Sequence, residues 1–218
     1  MELNLTSDLA GEGLACRRGE RLVFAGLSLN LPAGAALVVT GANGSGKSSL
    51  LRLLATLLRP EAGRLLWGDS AIAADPSPYR ALVHYVGHLD AIKPALTPRE
   101  SLEFWAGQRG AAARPEKIAE ALAALGLDRV ADSPCRWLSA GQRRRLVLAR
   151  LVAAPAPVWL LDEPSAALDS DGEARLATLI AAHRAAGGRV AVATHQALAI
   201  EAAENLSLAD YVPSPGAP

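Results

Sequence analysis

The sequence predicts an α/β protein: a central parallel sheet, an antiparallel β section ahead of it, and an α-helical insert interrupting the core. Three observations predict it. The runs Ala36–Val39, Val158–Leu161 and Val190–Ala193 are apolar throughout, the pattern of strands buried on both faces under covering helices. Ahead of them lie short β-prone segments punctuated by glycine. Between the first and second runs, helix start and stop signals mark the insert.

Taken in order, Leu14-Ala15-Cys16, Leu22-Val23-Phe24 and Leu27–Leu31 read as three short strands separated by Gly19, Glu20 and Gly26. A leucine-rich helix follows from near Ser48, and Leu82–Val86 is a further short strand. Thr97-Pro98-Arg99-Glu100 is a capping box with proline at the first helical position, opening a helix through about Ala106. Pro115–Leu125, closed by Gly126, is a second helix. Ser139-Ala140-Gly141 precede an amphipathic segment, Gln142–Val152, with Leu146, Leu148, Leu151 and Val152 at helical spacing. Ser170-Asp171-Gly172-Glu173 reads as the cap of a helix ending before Gly187-Gly188. The tail Val212–Pro218 is too short and proline-rich to pack much.

The 218 residues suffice for one α/β unit with a smaller insert, and Lys+Arg 22 against Asp+Glu 22 leaves no net charge. A nucleic-acid machine usually shows a basic balance or stripe, so no nucleic-acid partner is expected. No stretch approaches the roughly 18 apolar residues of a membrane span. Met1–Leu5 lacks the basic and apolar regions of a secretory signal. The expectation is a soluble, cytoplasmic chain whose membrane pathway, if it has one, belongs to another polypeptide. Cys16 and Cys135 form no C-x-x-C pair, and a reducing compartment is the simplest reading.

Chemistry concentrates in Gly41-Ala42-Asn43-Gly44-Ser45-Gly46-Lys47-Ser48, set between an apolar strand and a helix. Backbone N–H groups of such a loop turn inward around nucleotide phosphates, Lys47 adds a point charge, and the Ser48 hydroxyl reaches a bound Mg²⁺. The helix dipole points its positive end at the same phosphates. Gly41 through Ser48, with Ser49, are the candidate nucleotide-binding residues. The strand Val158–Leu161 runs into Asp162 and Glu163, and ligands bind beyond the carboxyl ends of such strands. Asp162 is there a candidate to hold Mg²⁺, and Glu163 to orient or deprotonate a water aimed at the γ-phosphate. The Val190 strand ends in Thr194-His195, in the same predicted sheet. Ser139-Ala140-Gly141 at a helix start allow an anion close to free N–H groups. Arg143, Arg144 and Arg145 follow; for Arg143 and Arg144 the plain reading is a solvated basic face.

With these motifs in order, the chain resembles the ATP-binding subunits of ABC transporters from about Leu14 to Ala209. The motifs are the phosphate loop, Leu138-Ser139-Ala140-Gly141-Gln142, Asp162-Glu163, Leu168-Asp169 and Thr194-His195. The resemblance implies ATP and Mg²⁺ as ligands and a head-to-tail pair of identical ATP-binding subunits enclosing two ATPs. It implies that Lys47, Ser48 and Asp162 hold nucleotide and metal, while Ser139 and Gly141 of the second copy cap the γ-phosphate and Gln142 joins the nucleotide-binding residues. It makes Glu163 the catalytic carboxylate, His195 the γ-phosphate-sensing partner, and Asp169 a link between the two sites. One ATP-binding domain is expected over 1–218. Its β section and nucleotide core take 1–86 and 158–218, and a helical subdomain takes about 90–152 and docks on membrane subunits.

Two positions depart from the family pattern. His88 stands in the loop after Leu82–Val86 where many relatives place glutamine, in a catalytic position by resemblance. Imidazole accepts a hydrogen bond but is a poor partner for hard Mg²⁺, and a pH-sensitive coupling step is the expectation. The aromatic residue that usually stacks on adenine is replaced by Arg17 or Arg18, and a guanidinium also stacks on a base. Gly87–Thr97 and Trp137–Arg145 are similar to the ATP-binding subunit of bacterial cytochrome c maturation, the haem exporter ATPase. That implies integral membrane partners of that system and a peripheral position on the cytoplasmic face of the inner membrane. Exporters of drugs or polysaccharides share every motif quoted. A non-transport ABC ATPase of DNA or ribosomes is disfavoured by the single phosphate loop and the lack of basic excess. A non-hydrolysing switch is disfavoured because Glu163 and His195 are both present.

Overall fold

A computed structural model describes residues 6–110, 114–195 and 200–212. The readings of Met1–Leu5 as lacking a signal and of the proline-rich tail from residue 213 onward lie outside the described residues. The chain forms two compact units. One comprises the stretch up to Tyr85, Pro157–Glu163 and the chain from Ala182; the other comprises Val86–Ala156 and Pro164–Ala181.

The first unit opens with a long hairpin, β1 (Leu9–Arg18) and β2 (Arg21–Leu31). Where the sequence suggested three short strands, the second and third are one. Gly26 takes φ 71° inside β2, so the chain bends there without leaving the sheet. Register shifts between Gly11 and Leu14 likewise let β1 start as early as Leu9. β3 (Ala36–Thr40) and α1 (Lys47–Leu54) follow, then β4 (Ala62–Trp67) and the two-residue β5 (Ser70–Ala71). β4 pairs antiparallel with both β1 and β5, giving a four-stranded sheet ordered β2-β1-β4-β5. α2 (Pro76–Ala81) leads into β6 (Val83–Val86).

The second sheet is ordered β6-β7-β8-β3-β9, with β7 (Val158–Asp162), β8 (Arg189–Ala193) and β9 (Glu204–Ser207). Its β7–β8, β8–β3 and β3–β9 pairs are parallel, with Leu161 opposite Val192 and Val192 opposite Val38. Every residue of β7 and β8 is buried, as the unbroken apolar runs require. α1 packs on β7 and β8 through Leu50, Leu51, Leu53 and Leu54, all fully buried. β9 is the strand without sequence warning: Glu204-Asn205-Leu206-Ser207 carries one buried apolar side chain, Leu206, and owes its place to backbone pairing with β3.

Two nitrogen-bearing side chains, one cationic and one neutral, are built into the packing of this unit. Arg189, fully buried at the start of β8, holds its guanidinium 4.9 Å from the centre of the Trp67 ring. His183, near the end of α6 (Ser170–Ala185), stacks flat on Trp159 at 3.7 Å between centroids. Burial holds the His183 pKa down, from 6.5 to about 4.

The second unit is helical. α3 (Pro98–Gln108) begins with the expected box: the Thr97 Oγ1 accepts from the Glu100 N–H at 3.2 Å, and the Glu100 carboxylate accepts from the Thr97 N–H at 2.8 Å. α4 (Pro115–Ala124) and α5 (Ala140–Ala153) complete its core with α3, through Leu102, Ile118, Leu122, Leu146 and Leu148. Arg175 donates to the carbonyls of Ala123 and Ala124, closing the carboxyl end of α4. The cap of α6 is Asp169 and not Ser170: its Oδ1 accepts from the Gly172 N–H at 2.9 Å. The sequence placed the cap one residue late because Ser170 and Glu173 mimic a capping box. The residues 164–181 cluster with these helices, a stretch the sequence reading grouped with the nucleotide core.

His183 makes stability depend on pH. Below 6.5 the unfolded chain takes up a proton that the folded imidazole refuses until about pH 4. The contribution is therefore complete above pH 6.5 and lost on acidification, by up to about 3 kcal/mol before the solvent screening a half-buried ring retains. Urea melts of wild type and His183→Phe across that window check it; parallel pH dependences exclude His183 as the cause.

Candidate nucleotide-binding and catalytic site

The parallel register brings the ends of three strands of the first unit together. β3 delivers the phosphate loop, β7 delivers Asp162 and Glu163, and β8 delivers Thr194 and His195. The loop runs from Gly41 to Gly46 and enters α1 at Lys47, with no side chain capping the helix, so its first N–H groups are left for a ligand. Gly46 takes φ 106°, and a Cβ there would meet Val23 Cγ1 at 2.4 Å, so glycine is required by both backbone and space.

Lys47 is 7% exposed and folds its ammonium over the loop, donating to the carbonyls of Gly41 at 2.8 Å and Ala42 at 3.3 Å. The Ser45 hydroxyl is buried with no hydrogen-bond partner among the described residues. An orphaned hydroxyl, helix N–H groups and an ammonium held, among the described residues, by two carbonyls fit a polyphosphate. The Ser48 hydroxyl donates to Asp162 Oδ1 at 3.0 Å, and the Asp162 carboxylate is 1% exposed. Two hard oxygen ligands side by side fit Mg²⁺.

Glu163 follows with φ 48°, a left-handed conformation costing on the order of 1 kcal/mol for a residue with a Cβ. Its N–H bonds the carbonyl of Ala193 at 2.8 Å, which ties the turn to β8. Its Oε2 lies 2.9 Å from His195 Nδ1 and accepts from the His195 N–H at 3.4 Å. A half-exposed imidazole and a largely covered carboxylate thus form one pair at the edge of the phosphate groove.

Sequence reasoning missed Tyr85. This residue of β6 donates its hydroxyl to Asp162 Oδ2 at 3.4 Å and accepts from Arg52 Nε at 3.3 Å. Burial, the main cause, raises the Tyr85 pKa and keeps the hydroxyl a neutral donor. The available signal was its position near the carboxyl end of a strand in the same sheet. The groove, about 430 Å³, is lined by Arg18, Arg21, Val23, Asn43, Gly44, Gly46, Lys47, Ser48, Ser49 and Glu163. Arg17 is outside it, bonding Glu61 through Nε and the Glu20 carbonyl through Nη1, both at 3.2 Å. A second concavity of about 410 Å³, by Leu58, Ile72 and Arg80, includes none of the phosphate-loop residues.

The remaining sequence candidates lie in the second unit. Ser139 caps α5 reciprocally with Gln142: Gln142 N–H donates to Ser139 Oγ at 3.1 Å, and Ser139 N–H to Gln142 Oε1 at 2.9 Å. Gly141 is needed for close approach, since a Cβ there would sit 3.0 Å from the carbonyl of Ala167. His88 is exposed. Asp169 pairs with Arg145 and carries the α6 cap; the Gly172 N–H first, then Arg145, lowers its pKa. The solvated basic face read for Arg143 and Arg144 is corrected: Arg143 donates to the Leu138 carbonyl at 3.0 Å, and Arg144 is 2% exposed. Carbonyls left over by loops draw both side chains inward.

A sheet with a phosphate loop, a strand-end carboxylate pair and a strand-end histidine defines a nucleotide-hydrolysing class, and comparison with known proteins gives the family. The sequence model described as ABC transporter matches residues 24–166. The fold is that of a putative ABC transporter ATP-binding protein from Pyrococcus furiosus, with TM-score 0.84 at 21% identity over 95% of this chain and 100% of the other. The chain is 57% identical to the cytochrome c biogenesis ATP-binding export protein CcmA of Rhodospirillum rubrum, over 94% of this chain and 88% of the relative. The protein of the same name from Rhizobium meliloti is 47% identical, over 94% and 99%. This chain belongs to the ABC transporter family and is an ATPase subunit of it. Among the described residues no helix is long and apolar enough to cross a membrane.

Because Arg18 lines the groove and Arg17 is held by Glu61, Arg18→Ala should weaken ATP binding about fivefold, the worth of roughly 1 kcal/mol of guanidinium–base stacking. Arg17→Ala should leave affinity near wild type. Titration with a fluorescent ATP analogue reads both, and equal losses remove Arg18 from the base site.

Proposed function

We propose that this chain is the ATP-hydrolysing subunit of a membrane export complex acting in cytochrome c biogenesis. In this reading ATP drives haem delivery, or release of a haem-loaded chaperone, on the far side of the membrane. The cytochrome c biogenesis export role named for relatives up to 57% identical supports the process. The observation that carries the hydrolytic chemistry is the Glu163–His195 pair beside Ser48, Asp162 and the phosphate loop.

In this reading each side chain takes a role. Lys47 exchanges its two loop carbonyls for phosphate oxygens, and the loop N–H groups hold the β- and γ-phosphates. Ser48 and Asp162 hold Mg²⁺, which when bound neutralises charge on the phosphate oxygens. Glu163 orients the attacking water and takes its proton. His195 keeps Glu163 in place through Nδ1 and uses its other ring nitrogen on the γ-phosphate. His88 serves the coupling loop. Ser139, Gly141 and Gln142 of a second copy close over the nucleotide, and Asp169 links the paired sites. The subunit then works as a homodimer, peripherally on the cytoplasmic face of the inner membrane, against integral membrane subunits.

Two measurements test this reading. Covalent haem in c-type cytochromes is stained in a strain lacking the gene and rescued with wild type or Lys47→Ala. Loss restored by wild type alone is expected; normal cytochromes throughout reject the process and turn the search to drug or polysaccharide export. Glu163→Gln should keep ATP affinity, lose hydrolysis by roughly 100-fold or more, and accumulate as an ATP-bound dimer on size exclusion. Undiminished turnover removes Glu163 from the catalytic role.

A further inference from the structure

The three consecutive arginines after the signature Leu138–Gln142 have three different surroundings, and the middle one is unlike a surface cation. Arg144 leaves the first turns of α5 and is 2% exposed. Its Nε donates to the carbonyl of Pro164 at 3.1 Å, and its Nη1 to the carbonyl of Gly87 at 2.9 Å. The same Nη1 lies 3.6 Å from Asp90 Oδ1, a carboxylate about two-thirds covered. A guanidinium is taken out of water only where charge and donors are matched, so this geometry is costly unless all three partners stay in place. The planar fork suits it: two donors in fixed directions reach carbonyls from two separate loops.

Both loops are conformationally strained beside the atoms that Arg144 holds. Ala91, next to Asp90, takes φ 48°, and Pro164 directly follows Glu163, also at φ 48°. Ala167, three residues further on, is at φ 64°. Left-handed residues with a Cβ persist only where their surroundings over-determine them. Within this unit both loops meet one side chain on the helix that Ser139 and Gln142 cap.

We propose that Arg144 is a positioning residue for ATP hydrolysis: it locks the Gly87–Asp90 loop, which carries His88, and the Pro164 turn to the signature helix α5. Movement of either loop then displaces α5, or breaks a buried ionic contact. The side chain touches no reacting atom. Its effect falls on turnover and not on nucleotide affinity, since the phosphate groove is built from other residues. The proposal rests on the ATPase reading above.

The test uses the full chain, free and co-purified with its membrane subunits, as wild type, Arg144→Met and Arg144→Lys. Lysine keeps the charge but lacks the fork. For both variants the affinity for a fluorescent ATP analogue should stay within about twofold of wild type, while kcat falls about tenfold or more through misplacement of the loops. Amide exchange in the nucleotide-free chain should accelerate at residues 87–91 and 165–169, with α3 and α4 unchanged. Folded variants with wild-type kcat and wild-type exchange overturn the proposal. So does exchange that accelerates throughout the unit along with lost affinity, which marks a purely structural role. If Arg144→Met does not fold, Asp90→Asn is the second variant; it should raise exchange at 87–91 and lower kcat, and no change in either overturns the proposal. If wild type itself hydrolyses no ATP, the functional reading fails, while exchange still decides whether Arg144 fixes the two loops.

Discussion

Parallel pairing of β3 with β8 and of β8 with β7 brings the three parts of the phosphate site to one edge of the sheet. The pairing puts Val39 level with Ala193 and Ala193 level with Asp162, so three segments far apart in sequence end at one height. The chain beyond each strand then has nowhere to go but the same edge. The contact between Ser48 and Asp162, residues 114 apart in sequence, is a consequence of that alignment. A register slip of one residue would turn Asp162 to the other face of the sheet and part it from the Ser48 hydroxyl.

The polar groups at that edge are held in tension with their backbone. Glu163 adopts a left-handed conformation that a side chain disfavours, yet its N–H is bonded to β8 and its carboxylate to His195. Strain and hydrogen bonding together restrict the orientation of the carboxylate. Lys47 shows the same economy. Its ammonium is satisfied by backbone carbonyls, partners easily displaced by phosphate because they carry no full charge.

Arginine does different work in the two units. In the first, Arg189 is packed over Trp67 and Arg18 opens into the phosphate groove. In the second, Arg145 and Arg175 converge on Asp171, and Arg145 also reaches the Asp169 that caps α6. Arg144, between residues that look equivalent in sequence, is buried against two loops. A chain without net charge can still place its cations where single backbone carbonyls need them.

The sequence alone determined the fold class, because unbroken apolar runs, glycine spacing and capping boxes are local signals. The phosphate loop, the Asp162-Glu163 strand end and the Thr97 helix start were all readable without coordinates for that reason. Local signals failed where the cause was distant. β9 exists because β3 offers an edge, and β2 continues through Gly26 because β1 pairs on both sides of it. Asp169 took the cap from Ser170 by geometry that the two sequences of polar residues do not distinguish. Arg17 is drawn away from the groove by Glu61, more than forty positions away, while Arg18 lines it. Tyr85 joined Asp162, and Arg144 its two carbonyls, for the same reason: a side chain's partner across the fold is fixed by packing, which no window of sequence contains.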